Sequence, residues 1–128
     1  MNVLRIIARL LLGALFTLAG VMGFVTTPPP MPGMIGTLSN ALYASHWDWF
    51  IAAAQLVAGV LLLTNRFTGF ALIVIGAFMY NSFAFHITTS PQFLPLPIVV
   101  VLVWAFVAWP LRADYARLFT ARITKEST

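Results

Sequence analysis

Few side chains in this sequence could bind a ligand, and those that could lie near the same end of its apolar segments. The candidates are His46, Asp48, Gln55, Tyr80, Asn81 and His86, with Tyr43 and Ser82 close by. Two histidines on neighbouring helices could bind haem or a metal, and polar groups inside apolar segments are often functional because hydrocarbon solvates them poorly. The alternative for both histidines is a position at the interface, in contact with lipid headgroups or water. Asp48 could instead complete a helix cap begun by Ser45.

The depths of Gln55 and Asn81 predict that these two amides meet. Gln55 follows Asp48 by seven residues, which corresponds to roughly 10 Å along a helix. Asn81 precedes His86 by five residues, or roughly 7–8 Å from the same interface. A hydrogen bond between the amides would contribute about 0.6 kcal/mol, and a ligand such as a quinone carbonyl is the alternative partner. We expect His46 and His86 to lie near each other without haem or metal, because too few further ligands accompany them.

Four apolar segments must position these side chains. They cover approximately residues 4–25, 47–64, 67–87 and 93–109. The chain has 128 residues, of which 61% are hydrophobic and only 8% charged, whereas a soluble domain averages about 25% charged residues. Because about 20 apolar residues cross a bilayer, the sequence predicts an all-α integral membrane four-helix bundle in which residues 1–128 form a single transmembrane domain.

The basic residues all lie on one side of these segments. Their positions are Arg5, Arg9, Arg66, Arg112, Arg117, Arg122 and Lys125, and the connections 26–46 and 88–92 contain none. Basic residues accumulate in cytoplasmic loops, so this pattern predicts cytoplasmic termini and a multi-pass protein of a bacterial inner membrane. It also favours lipid headgroups over nucleic acid as the partner of the positive charge. Residues 112–125 are predicted to form a short amphipathic helix on the cytoplasmic surface.

Small residues at helical spacing predict where helices approach closely. The helix-packing candidates are Gly13, Gly20, Gly59 and Gly76. Helices in lipid associate through such small residues, because lipid supplies no hydrophobic drive. One bundle is expected to bury only part of these faces, so at least one face is predicted to dock another membrane subunit.

Four stretches resemble the DoxX family of small four-span bacterial membrane proteins. They are residues 8–20, 53–59, 65–68 and 85–91, and they extend over most of the chain. The resemblance implies a four-helix membrane bundle, sometimes associated with quinone-linked oxidoreductases. The chain departs from the family at Gln55, where Glu is frequent, and at Gly23, where Lys is frequent. These departures remove two charges that an ionic or proton-coupled role would use.

Three functions remain open at this point. The resemblance favours an accessory or scaffold subunit of a larger, redox-related membrane complex. The polar cluster favours a quinone- or haem-binding redox protein, and a small transporter is the third possibility. The sequence contains no nucleophile–base pair, phosphate-binding glycine loop or paired carboxylates, so we do not expect an enzyme acting alone.

Overall fold

The computed structural model describes residues 2–121, and these residues are helical with short connections. The α-helices are α1 Val3–Val25, α2 Gly33–Ala44, α3 Trp47–Leu63, α4 Thr68–Thr89, α5 Pro95–Ala108 and α6 Arg112–Ala116. Single 3-10 turns follow α4, α5 and α6. The four longest helices begin and end within two residues of the apolar segments identified in the sequence. The amphipathic helix expected over residues 112–125 is wrong in its extent, because α6 ends at Ala116, a 3-10 turn follows, and Thr120 is extended. Arg122 and Lys125 lie outside the described residues.

Several helices are long and apolar enough to cross a membrane. They are α1, α4 and the helical stretch Pro95–Phe119. Helices α2 and α3 meet at an angle of 84°, and they provide a fourth crossing if the bent pair is one span. Large apolar side chains are exposed along all of these helices, which is the surface that lipid solvates and water does not. The described chain is therefore all-helical and has the character of a membrane protein.

Helices α1, α3, α4 and α5 close into a ring in which each packs against two others. The longest interface joins α1 to α3. The two helices are antiparallel, because Arg9 near the start of α1 meets Leu62 at the end of α3. The ring of Phe16 on α1 meets that of Phe78 on α4 edge-on at 5.4 Å in the centre. Fully buried Leu72 and other apolar side chains complete this core.

One end of the bundle is fastened by arginines. Arg9 was expected to extend toward headgroups, but it is only 8% exposed and donates to the carbonyl of Leu62. Arg5 donates from Nε to the backbone carbonyl of Phe106 at 3.2 Å. Its guanidinium also lies 4.6 Å from the centre of the Phe106 ring. Both carbonyls belong to the last turns of α3 and α5, where helical carbonyls lack partners and cations are favourable. We call this the arginine end, and the opposite end the α2 end.

The corner between α2 and α3 differs from the predicted helix cap. His46, with φ of 61°, is the residue that precedes the first turn of α3. Ser45 accepts a hydrogen bond from the backbone N–H of Trp47 at 3.3 Å through its Oγ. Asp48 lies in the first helical turn, but its Oδ1 is buried and has no hydrogen-bond partner. The expectation that Asp48 answers Ser45 in a capping box is therefore wrong.

Candidate functional site

A cavity of about 380 Å³ lies between α1, α3, α4 and α5 in the half of the bundle near α2. We call it the central cavity. Its walls are apolar except for Gln55, Ser82 and His86. Small-molecule sites typically enclose about 300–1,000 Å³ and combine apolar walls with a few polar groups. The central cavity has the size and the composition of such a site.

The polar groups of the central cavity come from two adjacent helices. Ser82 and His86 are four residues apart on α4, so they share one helical face. Nδ1 of His86 lies 3.3 Å from Oγ of Ser90, which is fully buried, and this contact orients the imidazole. Gln55 faces them from α3. The three side chains present an amide, a hydroxyl and an imidazole to the same apolar space.

A second cavity, of about 590 Å³, adjoins the first at the α2 end. We call it the α2-end cavity. Residues 26–29 after α1, the end of α2 and the start of α3 enclose it, and Tyr43 and Asp48 are among its polar lining. Ala19, Gln55 and Phe78 line both cavities. Gln55 therefore stands where the two spaces meet.

The structure does not bring Asn81 and Tyr80 to these cavities. Nδ2 of Asn81 donates to the carbonyl of Ala77, one turn back in α4, at 2.9 Å. Both side chains are exposed, Tyr80 to 77%. The predicted hydrogen bond between Gln55 and Asn81 is wrong for a rotational reason. The prediction considered only depth along the helices, whereas α4 turns a different face, which includes Ser82, toward the central cavity.

The two histidines belong to different surroundings. His46 is exposed, its ring stacks on Trp49 at a centroid distance of 4.3 Å, and it lines neither cavity. His86 lines the central cavity beside the ring of Phe93, with centroids 6.5 Å apart. They do not form one site. In residues 2–121 no group of three or more His, Cys, Asp or Glu side chains could hold a metal ion.

The glycine candidates lie at contacts inside the bundle. A Cβ added to Gly13 would lie 3.1 Å from the carbonyl oxygen of Gly59, and one added to Gly20 would lie 2.6 Å from the backbone nitrogen of Leu56. On α4, a Cβ at Gly76 would meet the indole of Trp104 at 3.1 Å. These faces therefore pack α1 against α3 and α4 against α5. The small residues that were expected to mark a docking face for another subunit instead pack helices of this chain against each other.

The sequence reasoning placed Gln55, Asp48 and His86 among its candidates, but it missed the walls that complete the site. These walls include Phe16 and Ala19 on α1 and Pro97 and Val100 on α5. The available signal was the helical spacing of residues 78, 79, 82 and 86 on α4, which places Ser82 and His86 on one face with apolar neighbours. Nothing in the sequence distinguishes apolar residues that line a cavity from those that fill a core.

Comparison with protein-family models, with curated proteins and with solved structures finds no match to this chain.

Proposed function

We propose that this chain is a quinone-binding protein of the bacterial inner membrane and is related to the DoxX family. In this proposal α1, α3, α4 and α5 span the bilayer, the arginine end and both termini are cytoplasmic, and α2 lies on the outer surface. The central cavity carries the functional part of the proposal, because Gln55, Ser82 and His86 converge there within apolar walls. The basic residues and the apolar helix surfaces support the orientation.

The chemistry of the central cavity matches a quinone headgroup. A quinone offers two carbonyl oxygens that accept hydrogen bonds and a flat ring that prefers apolar and aromatic surroundings. The amide of Gln55 and the hydroxyl of Ser82 can donate, and His86 can donate from a ring nitrogen. Phe16, on the opposite wall, supplies an aromatic surface. A buried donor that gains a partner avoids an unsatisfied polar group, which makes these interactions selective for a ligand with acceptors.

The rim of the central cavity favours a ligand that arrives from the lipid. Leu15 on α1 and Leu96 on α5 both line the cavity and are 43% and 70% exposed, and Phe93 between α4 and α5 is 50% exposed. Exposed lining residues place the mouth of the cavity on the apolar outer surface, between α1 and α5. A quinone can therefore enter sideways from the bilayer and leave its alkyl tail among lipid chains.

The accessory-subunit hypothesis now depends on the family resemblance. Its physical support was an unused face of small residues, and those residues pack helices of this chain against each other. A binding function needs no redox centre on the chain itself. A partner that exchanges electrons with the quinone is compatible with this proposal but is not required by it.

Quinone retention in lipid nanodiscs tests the proposal. Purified protein is titrated with a benzoquinone bearing a ten-carbon tail, and the quinone retained by empty nanodiscs is subtracted. We expect saturable binding with one quinone per chain. Gln55→Leu should weaken binding about tenfold, which corresponds to about 1.4 kcal/mol and to one hydrogen bond to a buried group.

Asn81→Leu is the matched control, since it removes a nearby amide that lines neither cavity. It should leave quinone binding unchanged. Equal losses in both variants would assign the effect to general changes in the bundle. Absence of saturable binding to the wild-type protein would refute the proposed function.

A further inference from the structure

The α2-end cavity contains a carboxylate without a partner. Asp48 is half-buried in its wall, and Oδ1 is buried with no hydrogen bond. Its position in the first turn of α3 is favourable to the helix dipole, but that position leaves the oxygen without a donor. A carboxylate oxygen that is buried without a hydrogen bond is costly, because it has lost its hydration. A ligand that donates a hydrogen bond to Oδ1 of Asp48 would therefore stabilise this arrangement.

No cationic side chain of residues 2–121 forms an ion pair with Asp48. The described arginines lie at the arginine end, and α1, α3, α4 and α5 separate them from Asp48. Within residues 2–121 the ion pair that the structure contains joins Arg117 to Asp114, at 3.9 Å and away from the α2 end. The connection 26–46 contains neither Lys nor Arg. No arginine of residues 2–121 therefore lies beside the Asp48 carboxylate in the α2-end cavity.

Tyr43 adds a neutral aromatic wall beside this carboxylate. It belongs to α2, which we place outside the membrane-spanning segments. Burial in the first place, and then the charge of Asp48, raise the pKa of the Tyr43 hydroxyl. The phenol therefore stays protonated and adds no second negative charge. Aromatic rings next to a carboxylate are a common arrangement for binding ammonium groups.

We propose that the α2-end cavity binds a small organic ammonium ion with an apolar body, in which the N–H groups meet Asp48. Met22, Leu42 and Ile51 give the cavity apolar walls that suit the body of such a ligand. A bare metal ion would require several oxygen ligands, whereas one carboxylate is sufficient for an ammonium group. This site shares Gln55 with the central cavity but differs from it in its polar groups, because Asp48 and Tyr43 line it and Ser82 and His86 do not.

The test uses 4-fluorobenzylammonium as the probe and the full-length protein in nanodiscs of zwitterionic lipid. Fluorine NMR line widths report binding, with empty nanodiscs as the baseline. The neutral comparator is 4-fluorobenzyl alcohol, which has nearly the same shape. We expect the ammonium to bind at least tenfold more tightly than the alcohol, and Asp48→Asn to remove this preference.

Asp114→Asn is the matched control, because it removes an exposed carboxylate at the arginine end. It should leave the preference for the ammonium intact. Equal affinity for ammonium and alcohol, no binding of either, or an unchanged preference in Asp48→Asn would overturn the proposal. If Asp48→Asn does not fold, as judged by circular dichroism, the ammonium–alcohol comparison on the wild-type protein decides.

Discussion

Gly20→Ala should destabilise the bundle, although alanine is the better helix former. The added Cβ would lie 2.6 Å from the backbone nitrogen of Leu56 and 2.8 Å from the carbonyl oxygen of Ala52. Both are backbone atoms of α3, so a side-chain rotation cannot relieve the contact. Ordinary contacts begin at 3.4 Å, and α1 and α3 must therefore separate by roughly 0.8 Å, the difference between 2.6 and 3.4 Å. Overpacking of this kind costs about 1–3 kcal/mol.

Two opposing effects determine the net magnitude. Replacement of glycine by alanine inside a helix favours folding by about 1 kcal/mol, while separation of α1 from α3 also weakens the longest interface in the bundle. The difference between these effects leaves a fall of up to about 2 kcal/mol in the free energy of unfolding of Gly20→Ala. Unfolding in mixed micelles by titration with dodecyl sulfate, followed by circular dichroism, measures this change.

Gly13→Ala is the matched control on the same face of α1. Its Cβ would lie 3.1 Å from the carbonyl oxygen of Gly59, so a shift of only roughly 0.3 Å relieves the contact, and the helix-forming gain offsets most of the cost. We expect its stability to lie within about 0.5 kcal/mol of the wild-type value. If Gly20→Ala proves as stable as Gly13→Ala, α1 and α3 do not approach each other as closely as the structure has them.

Three further experiments test two side-chain contacts and the topology. Trp104→Phe should lower the unfolding free energy by about 1 kcal/mol in the same titration, because it removes the 2.7 Å hydrogen bond from the indole nitrogen to the carbonyl of Leu72; unchanged stability would argue against that bond. Thr17→Val should raise the unfolding free energy by about 1 kcal/mol, since Oγ1 of Thr17 is buried without a partner, and a loss of stability would mean that the hydroxyl has one. In this cysteine-free chain, Gln92→Cys should react with an impermeant thiol reagent added outside intact cells and Asn65→Cys should not, and the reverse pattern would invert the proposed topology.

The sequence was sufficient for the four longest helices and the membrane character. Long apolar runs interrupted by Pro28, Asn65 and Pro91 leave few alternatives, because lipid requires every backbone group to be satisfied within the segment. The helices consequently begin and end close to the predicted positions. The spacing of Gly13 and Gly20 likewise identified the close-packed face of α1, since only small residues permit such an approach.

The rotation of each helix was decided by the tertiary structure. The sequence estimates how deep Gln55 and Asn81 lie, but depth does not specify which face of a helix meets its neighbour. Almost every face of α4 is apolar, so hydrophobic periodicity carries little information about its rotation. The packing of Phe16 against Phe78 and of Trp104 against Gly76 selects the rotation, turns Ser82 and His86 inward, and leaves Asn81 on the surface.

The tertiary structure also decided which segments the glycine faces and Arg9 contact. In sequence, a small-residue stripe is equally suited to a helix of the same chain and to a partner, and an arginine near a helix start is equally suited to lipid headgroups. The ring closure of four helices places Gly20 against Leu56, and the end of α3 against Arg9. Local composition determines what a residue can contact, whereas the partner depends on which distant segments the chain brings beside it.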